Sequence, residues 1–342
     1  MKRNRPVLFW DEISVSSLAE AYIAQQKAGN LANSLGMSDE LCESARLITS
    51  ELATNLAVHN TINGKIRISC ADLGSALSLT IASLDEGPGI TDIEEIFNGQ
   101  RHSPRGLGAG LRTVKRYAHA MEICSTSSAS RPCPLSAEHS FATIVTASLW
   151  QPKEMIDLLF SKNQALFAIG SSGLDHPKLN ISLTCHGSYT LLTFGTKTQQ
   201  EKIQKNSSRP NLAGWFVPVH GQPTKTALCS SQIELLFDAT AFSLNITFCE
   251  DTQPFLLAKE RSGAIQKILD HANHNNGIFK LQEFDEVLLI ASSPYSRPLA
   301  ELIHTINDVS RETILGEVLF SHLIKNKPGE PSALVIWKWT NT

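Results

Sequence analysis

The fold is decided by the stretch Ser50-Glu51-Leu52-Ala53-Thr54-Asn55-Leu56-Ala57-Val58-His59. It closes a run that Ser38 can cap, in which Leu41, Ala45, Ile48, Leu52 and Leu56 recur at three- and four-residue steps. That is the period of an amphipathic helix. Glu51 and Asn55 stand four apart and therefore share one helix face. A carboxylate there can take a proton from a hydroxyl or orient a water. An amide oxygen beside it is a hard, neutral ligand suited to a hydrated Mg2+. Taken alone, such a pair is more often a solvated helix face.

Downstream, two strands over 65–71 and 76–84 are expected to pair as a hairpin across Gly74. The second runs into Leu84-Asp85-Glu86-Gly87-Pro88-Gly89-Ile90. An aspartate at a strand end can accept a hydrogen bond from an amino-bearing base such as adenine. Gly87 and Gly89 let backbone approach a ring without a Cβ in the way. The plain alternative is an Asp/Gly/Pro turn. Further on, Gly106-Leu107-Gly108-Ala109-Gly110-Leu111 opens a helix expected over 111–120. Its amides and the positive end of that helix suit phosphates; a flexible linker is the alternative. No GK[ST] follows, so it is not a P-loop, and it lacks the setting of a dinucleotide fingerprint.

In this order and spacing the three motifs resemble the nucleotide site of the GHKL superfamily, the Bergerat fold shared by gyrases, Hsp90-type chaperones, histidine kinases and MutL. Within it, residues 6–150 resemble the anti-sigma-factor serine kinases and the stressosome switch kinase of bacterial partner switching. The family pattern is a SELATNxxxH helix, a strand ending in DxGPGI, and a GLGxGL lid. The resemblance implies ATP and Mg2+ as cofactors. It implies Glu51 as general base, Asn55 as the Mg2+ ligand and Asp85 as the reader of adenine. It places Gly87 and Gly89 along the adenine pocket, and Arg105, Gly106, Leu107, Gly108, Ala109, Gly110 and Leu111 in the phosphate lid. Arg101 and Arg105 could balance phosphate charge, although solvation is the commoner fate of such residues. His59 is expected to make a structural hydrogen bond. The implied activity is phosphorylation of a Ser or Thr on a STAS-domain antagonist, with a sigma factor or another output protein downstream. The alternative is a module that captures a partner when ATP orders the lid, without phosphotransfer. A homodimer is compatible with either.

Outward from the motifs, a strand is expected over 6–10. A helix follows from Ser16 or Ser17 to about Ser34, ending near Gly36. Strands over 122–125 and 141–150 close the unit, with a Ser- and Pro-rich loop between them. The expected architecture of residues 1–150 is a two-layer α/β sandwich. The 342 residues suffice for two domains. A net charge of -3 gives no electrostatic case for nucleic acid or an acidic membrane. No signal peptide or membrane-spanning run is read, and seven scattered cysteines indicate neither a disulfide framework nor a zinc site. A cytoplasmic location is expected.

Residues 151–342 read as a β-rich α+β domain, with strands near 166–169, 189–194, 243–249, 287–291 and 333–339. Helices are expected near 260–272, 298–309 and 313–323, and a long polar loop over 198–222. Weak features here resemble the SpoIIE/PPM phosphatase β-sandwich. They are the strand pair over 235–249 followed by Gln253-Pro254-Phe255-Leu256, the run 277–290, and the last strand over 330–339. That family uses aspartates to hold two metal ions. The matching positions here read Asn180 or Ser182, Gly195-Thr196, Ala291-Ser292-Ser293-Pro294 and Pro331-Ser332. Asp175, Asp238, Asp251, Asp285 and Asp308 lie outside any Asp-Gly turn. Neutral side chains cannot replace bridging carboxylates. A catalytically degenerate phosphatase-like domain is therefore expected, and an active phosphatase is disfavoured.

Overall fold

A computed structural model describes residues 8–59, 61–72, 76–91, 93–98, 107–130, 132, 141–152, 164–170, 179–186, 189–196, 232–238, 243–248, 254–269, 276–281, 284–293, 297–303, 305–306, 311–326 and 332–341. The expected loop over 198–222 lies outside them, as do Arg101, Arg105, Gly106, Asp175, Asp251, Asp308 and Pro331.

The first half begins with β1 (Leu8–Ser14), then α1 (Leu18–Leu35) and α2 (Asp39–Val58). The boundaries follow from the residues at the ends. Ser17 caps α1 by accepting from the Glu20 N–H, and the Glu20 carboxylate reaches back to the Ser16 N–H at 2.7 Å, a capping-box arrangement. Gly36 ends α1 with φ at 81°, the left-handed turn that glycine adopts without strain. Ser38 caps α2. The hairpin β2 (Lys65–Asp72) and β3 (Ala76–Asp85) follows, then α3 (Ile93–Asn98), α4 (Leu107–Tyr117), β4 (Ala120–Ser125) and β5 (Thr143–Pro152). The sheet order is β1-β2-β3-β5-β4, antiparallel throughout.

Alternation along these strands separates two faces. Ile66, Ile68, Leu79, Ile81, Val145, Ala147 and Leu149 meet α1, α2 and α4 in one apolar core. The opposite face carries Arg67, Ser69, Thr80, Thr146 and Ser148, a polar set that is nonetheless buried. The second half covers it.

That half holds β6 (Gln164–Gly170), β7 (Leu179–His186), β8 (Tyr189–Thr196), β9 (Gln232–Asp238), β10 (Ser243–Phe248), β11 (Phe255–Glu260), β12 (Ile265–Leu269), β13 (Asn276–Lys280), β14 (Phe284–Ser293), α5 (Arg297–Ile303), α6 (Glu312–Asn326) and β15 (Ala333–Thr340). The strands make two five-stranded sheets, β13-β10-β9-β8-β7 and β12-β11-β14-β15-β6. This is the β-rich α+β class read from the sequence. Phe237 of the first sheet packs on Trp337 and Trp339 of the second, with ring centroids 5.6 and 6.3 Å apart. Apolar clusters run across the chain midpoint. Leu8, Ala71 and Ala76 join the β-sandwich core, and Leu84, Cys124 and Ile144 join the core around α5 and α6.

The helix expected near 260–272 is not formed. The chain turns at Arg261-Ser262-Gly263, with Gly263 at φ 87°, and returns as β12 against β11. The left-handed glycine closes a hairpin in place of the expected helix. Among the described residues, no helix is long and apolar enough to cross a membrane.

Candidate active site

The candidate residues lie on α2, at the start of α4 and at the end of β3, and the structure brings the first two together, with Gly110 of α4 against Glu51 and Asn55 of α2. Cys42, Ala45, Ile48, Leu52, Ala53 and Leu56 anchor α2 on the sheet. Glu51 and Asn55 flank that buried stripe and are half-buried. The His59 N–H donates to the Asn55 carbonyl at 3.1 Å, which fixes the end of the helix one turn beyond the pair.

α4 starts inside the glycine motif, at Leu107, four residues earlier than expected. Gly110 explains why the glycines are there. A Cβ added at Gly110 would lie 2.7 Å from Glu51 Oε2 and 3.7 Å from both amide atoms of Asn55. A bare backbone at this point lets α4 close onto the two polar residues of α2. The first-turn N–H groups of α4, which lack helical acceptors, are thereby carried toward the same two residues. Ala109 is exposed, whereas Leu111 is buried in the core, so only the backbone of Leu111 is offered to the site. The Arg112 guanidinium donates to the Ile96 carbonyl at 3.2 Å and ties α4 to α3.

Asp85 ends β3, opposite Thr143 in β5, and is buried. Its Oδ1 accepts the Gly87 N–H at 2.8 Å, and the Thr143 hydroxyl is its second partner. Burial pushes the Asp85 carboxyl above the usual range, against the pull of those two donors. Asp85 and Thr143 thus form a polar pair where β3 ends and β5 begins. Gly89 has φ at 79°, which only glycine adopts readily.

Three residues around Asp85 and its turn were not legible as site residues. Thr143 is identified only by its register with Asp85. Ser125 and Ser127 fell in a Ser-rich stretch that reads as loop. Ser125 Oγ accepts the Ile90 N–H at 2.7 Å, and the Ser127 hydroxyl donates to the Pro88 carbonyl at 2.7 Å.

In the second half, the register sets Asn180 opposite Gly195 and Ser293 opposite Ala333. Ser292 and Ser332 are buried, and Asp285 sits near the start of β14, away from that end of the strand. Among the described residues, no group of three or more His, Cys, Asp or Glu side chains is placed to hold a metal ion.

A helix pair over an antiparallel sheet, with a carboxylate and an amide on one helix under a glycine-opened second helix, is the frame of the partner-switching serine kinases, and the chain belongs to that family. The relative that shows it is the serine/threonine-protein kinase RsbT of Bacillus subtilis (strain 168). It is 40% identical over 96 residues, which are 27% of this chain and 69% of that protein. No protein-family profile matches the chain. Among solved structures, the chain is similar to the phosphatase domain of the cell fate determinant SpoIIE from Bacillus subtilis, with 14% identity, 52% of this chain and 93% of that one covered, and a TM-score of 0.34. A structure of the SpoIIE PP2C phosphatase domain with a fragment of its regulatory domain covers 95% of this chain and 97% of its own, at 10% identity and a TM-score of 0.34. RsbX in complex with magnesium covers 53% of this chain and 97% of its own, at 6% identity and a TM-score of 0.34.

Proposed function

We propose that the chain is an ATP-dependent serine/threonine kinase of partner switching, acting on a STAS-domain antagonist protein. The approach of Gly110 to Glu51 and Asn55 carries this reading. It leaves a polar cradle, with no Cβ in it, beneath the start of a helix. Asp85, buried and held by the Gly87 N–H and the Thr143 hydroxyl, fits an amino group on adenine. Asn55 would hold Mg2+ through its amide oxygen, and the ion would offset phosphate charge. The free amides at the start of α4, with Gly106, Leu107, Gly108 and Ala109, would take the phosphates, joined by Arg105. Glu51 would accept the proton of the target hydroxyl as its oxygen bonds to the γ-phosphorus and ADP leaves. Positioning and electrostatics supply most of the rate in such transfers.

Residues 151–342 are read as a phosphatase-like domain that has lost its chemistry and serves as a docking or regulatory surface. Two divalent ions need several anionic oxygens around them. Asn180, Thr196, Ser292 and Ser332 supply none. The apolar strands β14 and β15 and the tryptophans of β15 support the fold without metal.

Incubating the full chain with labelled ATP, Mg2+ and a STAS protein tests the first reading. Wild-type protein transfers the label, and Glu51→Gln binds ATP but transfers roughly 10²–10⁴-fold more slowly. Capture of the STAS protein that depends on ATP but leaves no label on it replaces the kinase with a binding module. Titrating Mn2+ into the full chain with a phosphorylated STAS protein tests the second. Micromolar binding with turnover would overturn it.

A further inference from the structure

The loop that follows Asp85 is held on both sides. On one side, the Glu86 N–H donates to the Ile62 carbonyl at 2.8 Å, and the Asn63 amide donates to the Glu86 carboxylate at 2.8 Å. On the other side stands the segment leaving β4. Ser125 has no exposed surface, and its Oγ accepts both the Ile90 N–H and, at 3.3 Å, the Ser127 N–H. Ser127 is exposed, and its hydroxyl donates to the Pro88 carbonyl. The two oxygens lie 2.7 and 2.6 Å from where a Cβ on Gly89 would stand.

Gly87-Pro88-Gly89-Ile90 has proline second and a left-handed glycine third. Gly89 at φ 79° has the value of the third residue in a type II turn. The alternative, type I, differs chiefly by a flip of the peptide between Pro88 and Gly89. Its carbonyl is the group that Ser127 holds. The orientation of that peptide fixes how closely the backbone beside Asp85 can approach a planar base. A hydrogen bond of this kind fixes one of two local states before any ligand arrives.

We propose that Ser127, seated by Ser125, is a positioning residue for adenine selectivity: it locks the Pro88–Gly89 peptide so that Asp85 and the turn present one preformed edge to the base. The proposal rests on the ATP reading above. It concerns the base, while Glu51, Asn55 and α4 concern the phosphates. Removing the Ser127 hydroxyl frees the peptide to flip, and affinity for the adenine ring falls while the hold on the triphosphate is kept.

The experiment is calorimetry of the full chain with Mg-ATP and Mg-GTP, using wild type, Ser127→Ala and Ser127→Thr, with thermal midpoints measured alongside. Because Ser127 is exposed, the alanine variant makes no cavity and keeps the wild-type midpoint. ATP affinity in Ser127→Ala falls by about 3- to 10-fold, the worth of one net hydrogen bond. GTP affinity stays constant, so the selectivity ratio falls by the same factor. Ser127→Thr, which keeps the hydroxyl, restores it. An unchanged ATP-to-GTP ratio in Ser127→Ala overturns the proposal while leaving the ATP reading intact, as does an equal loss for both nucleotides. Wild-type protein that binds no ATP removes the ATP reading, and the proposal with it.

Discussion

Arg67 Nη1 lies 2.7 Å from Glu317 Oε2, although 250 positions separate the two residues. Arg67 is in the second strand of the kinase-like sheet and Glu317 is in α6, and both are buried. The other branch of the guanidinium, Nη2, is 2.7 Å from Glu12 Oε2. Its carbon also sits 5.8 Å from the ring centres of Trp10 and Phe320. Burial works against the charged guanidinium, but the carboxylates of Glu317 and Glu12 outweigh it and Arg67 stays ionised. Removing one member of such a group leaves a buried charge unpaired. Arg67→Ala is expected to destabilise the chain by about 3–5 kcal/mol. The joint change Arg67→Met with Glu317→Leu is expected to recover most of that loss. Denaturant unfolding of both variants checks the pair, and equal instability of the two would refute the account.

A second link between the halves is sensitive to pH. Glu122 on β4 accepts the Ile314 N–H at 2.9 Å at the start of α6. It faces Glu312, which is 3.1 Å from Lys338, with Arg311 beside it donating to the Ile123 carbonyl. Burial and then the Glu312 charge push Glu122 from 4.5 up to about 8. A carboxyl raised on folding contributes stability that is full below its unfolded value and is lost as pH rises through its folded value. The thermal midpoint is therefore expected to fall from about pH 4.5 to about pH 8 and to level off above that. Glu122→Gln, which stays neutral and still accepts the Ile314 N–H, flattens that slope. A midpoint profile of equal slope in both proteins would rule out Glu122 as the titrating group.

Asp85→Asn keeps the size of the side chain but gives one terminus a donor in place of an acceptor. ATP affinity is expected to drop by about 1–3 kcal/mol, the cost of disturbing a buried charge-assisted hydrogen bond. Calorimetry showing wild-type affinity would free Asp85 from its assigned role.

Gly110→Ala separates stability from function. Alanine is the better helix former by about 1 kcal/mol, so the thermal midpoint is expected to hold or rise. The new methyl would press on Glu51 Oε2 and turn the carboxylate aside. A displacement of that order is expected to cost about 10²-fold in phosphotransfer. A variant that transfers phosphate at the wild-type rate would show that the close contact is incidental.

Much of the first half was legible because its signals are local. Ser17 and Ser38 at helix starts, Gly36 at a helix end, and the periodic apolar residues of α2 each act within a few residues. The candidate site motifs are local in the same way. What escaped depends on distant partners. Arg67 alternates with Ile66 and Ile68, so it reads as the wet side of a strand; β6 and α6, far along the chain, make that side interior. Thr143 gains meaning from its register with Asp85, which no local pattern states. The short α3 has six residues and little periodicity to detect. The helix expected near 260–272 gives way to a hairpin because pairing of β12 with β11, a non-local interaction, decides the state of this mixed polar and apolar segment.

The buried polar face of the first sheet also bears on how the protein is made. A ribosome adding roughly 5–20 residues per second needs roughly 12–50 s to pass from Arg67 to Glu317. During that interval the nascent first half has its helices but lacks α6, and Arg67 has Glu12 but not Glu317. Such an intermediate presents a half-finished surface. Chains stalled before residue 312 are expected to stay protease-sensitive within residues 8–152, and release of the stall to convert them to the resistant form. Resistance already present in the stalled chains would mean that the sheet matures without its cover.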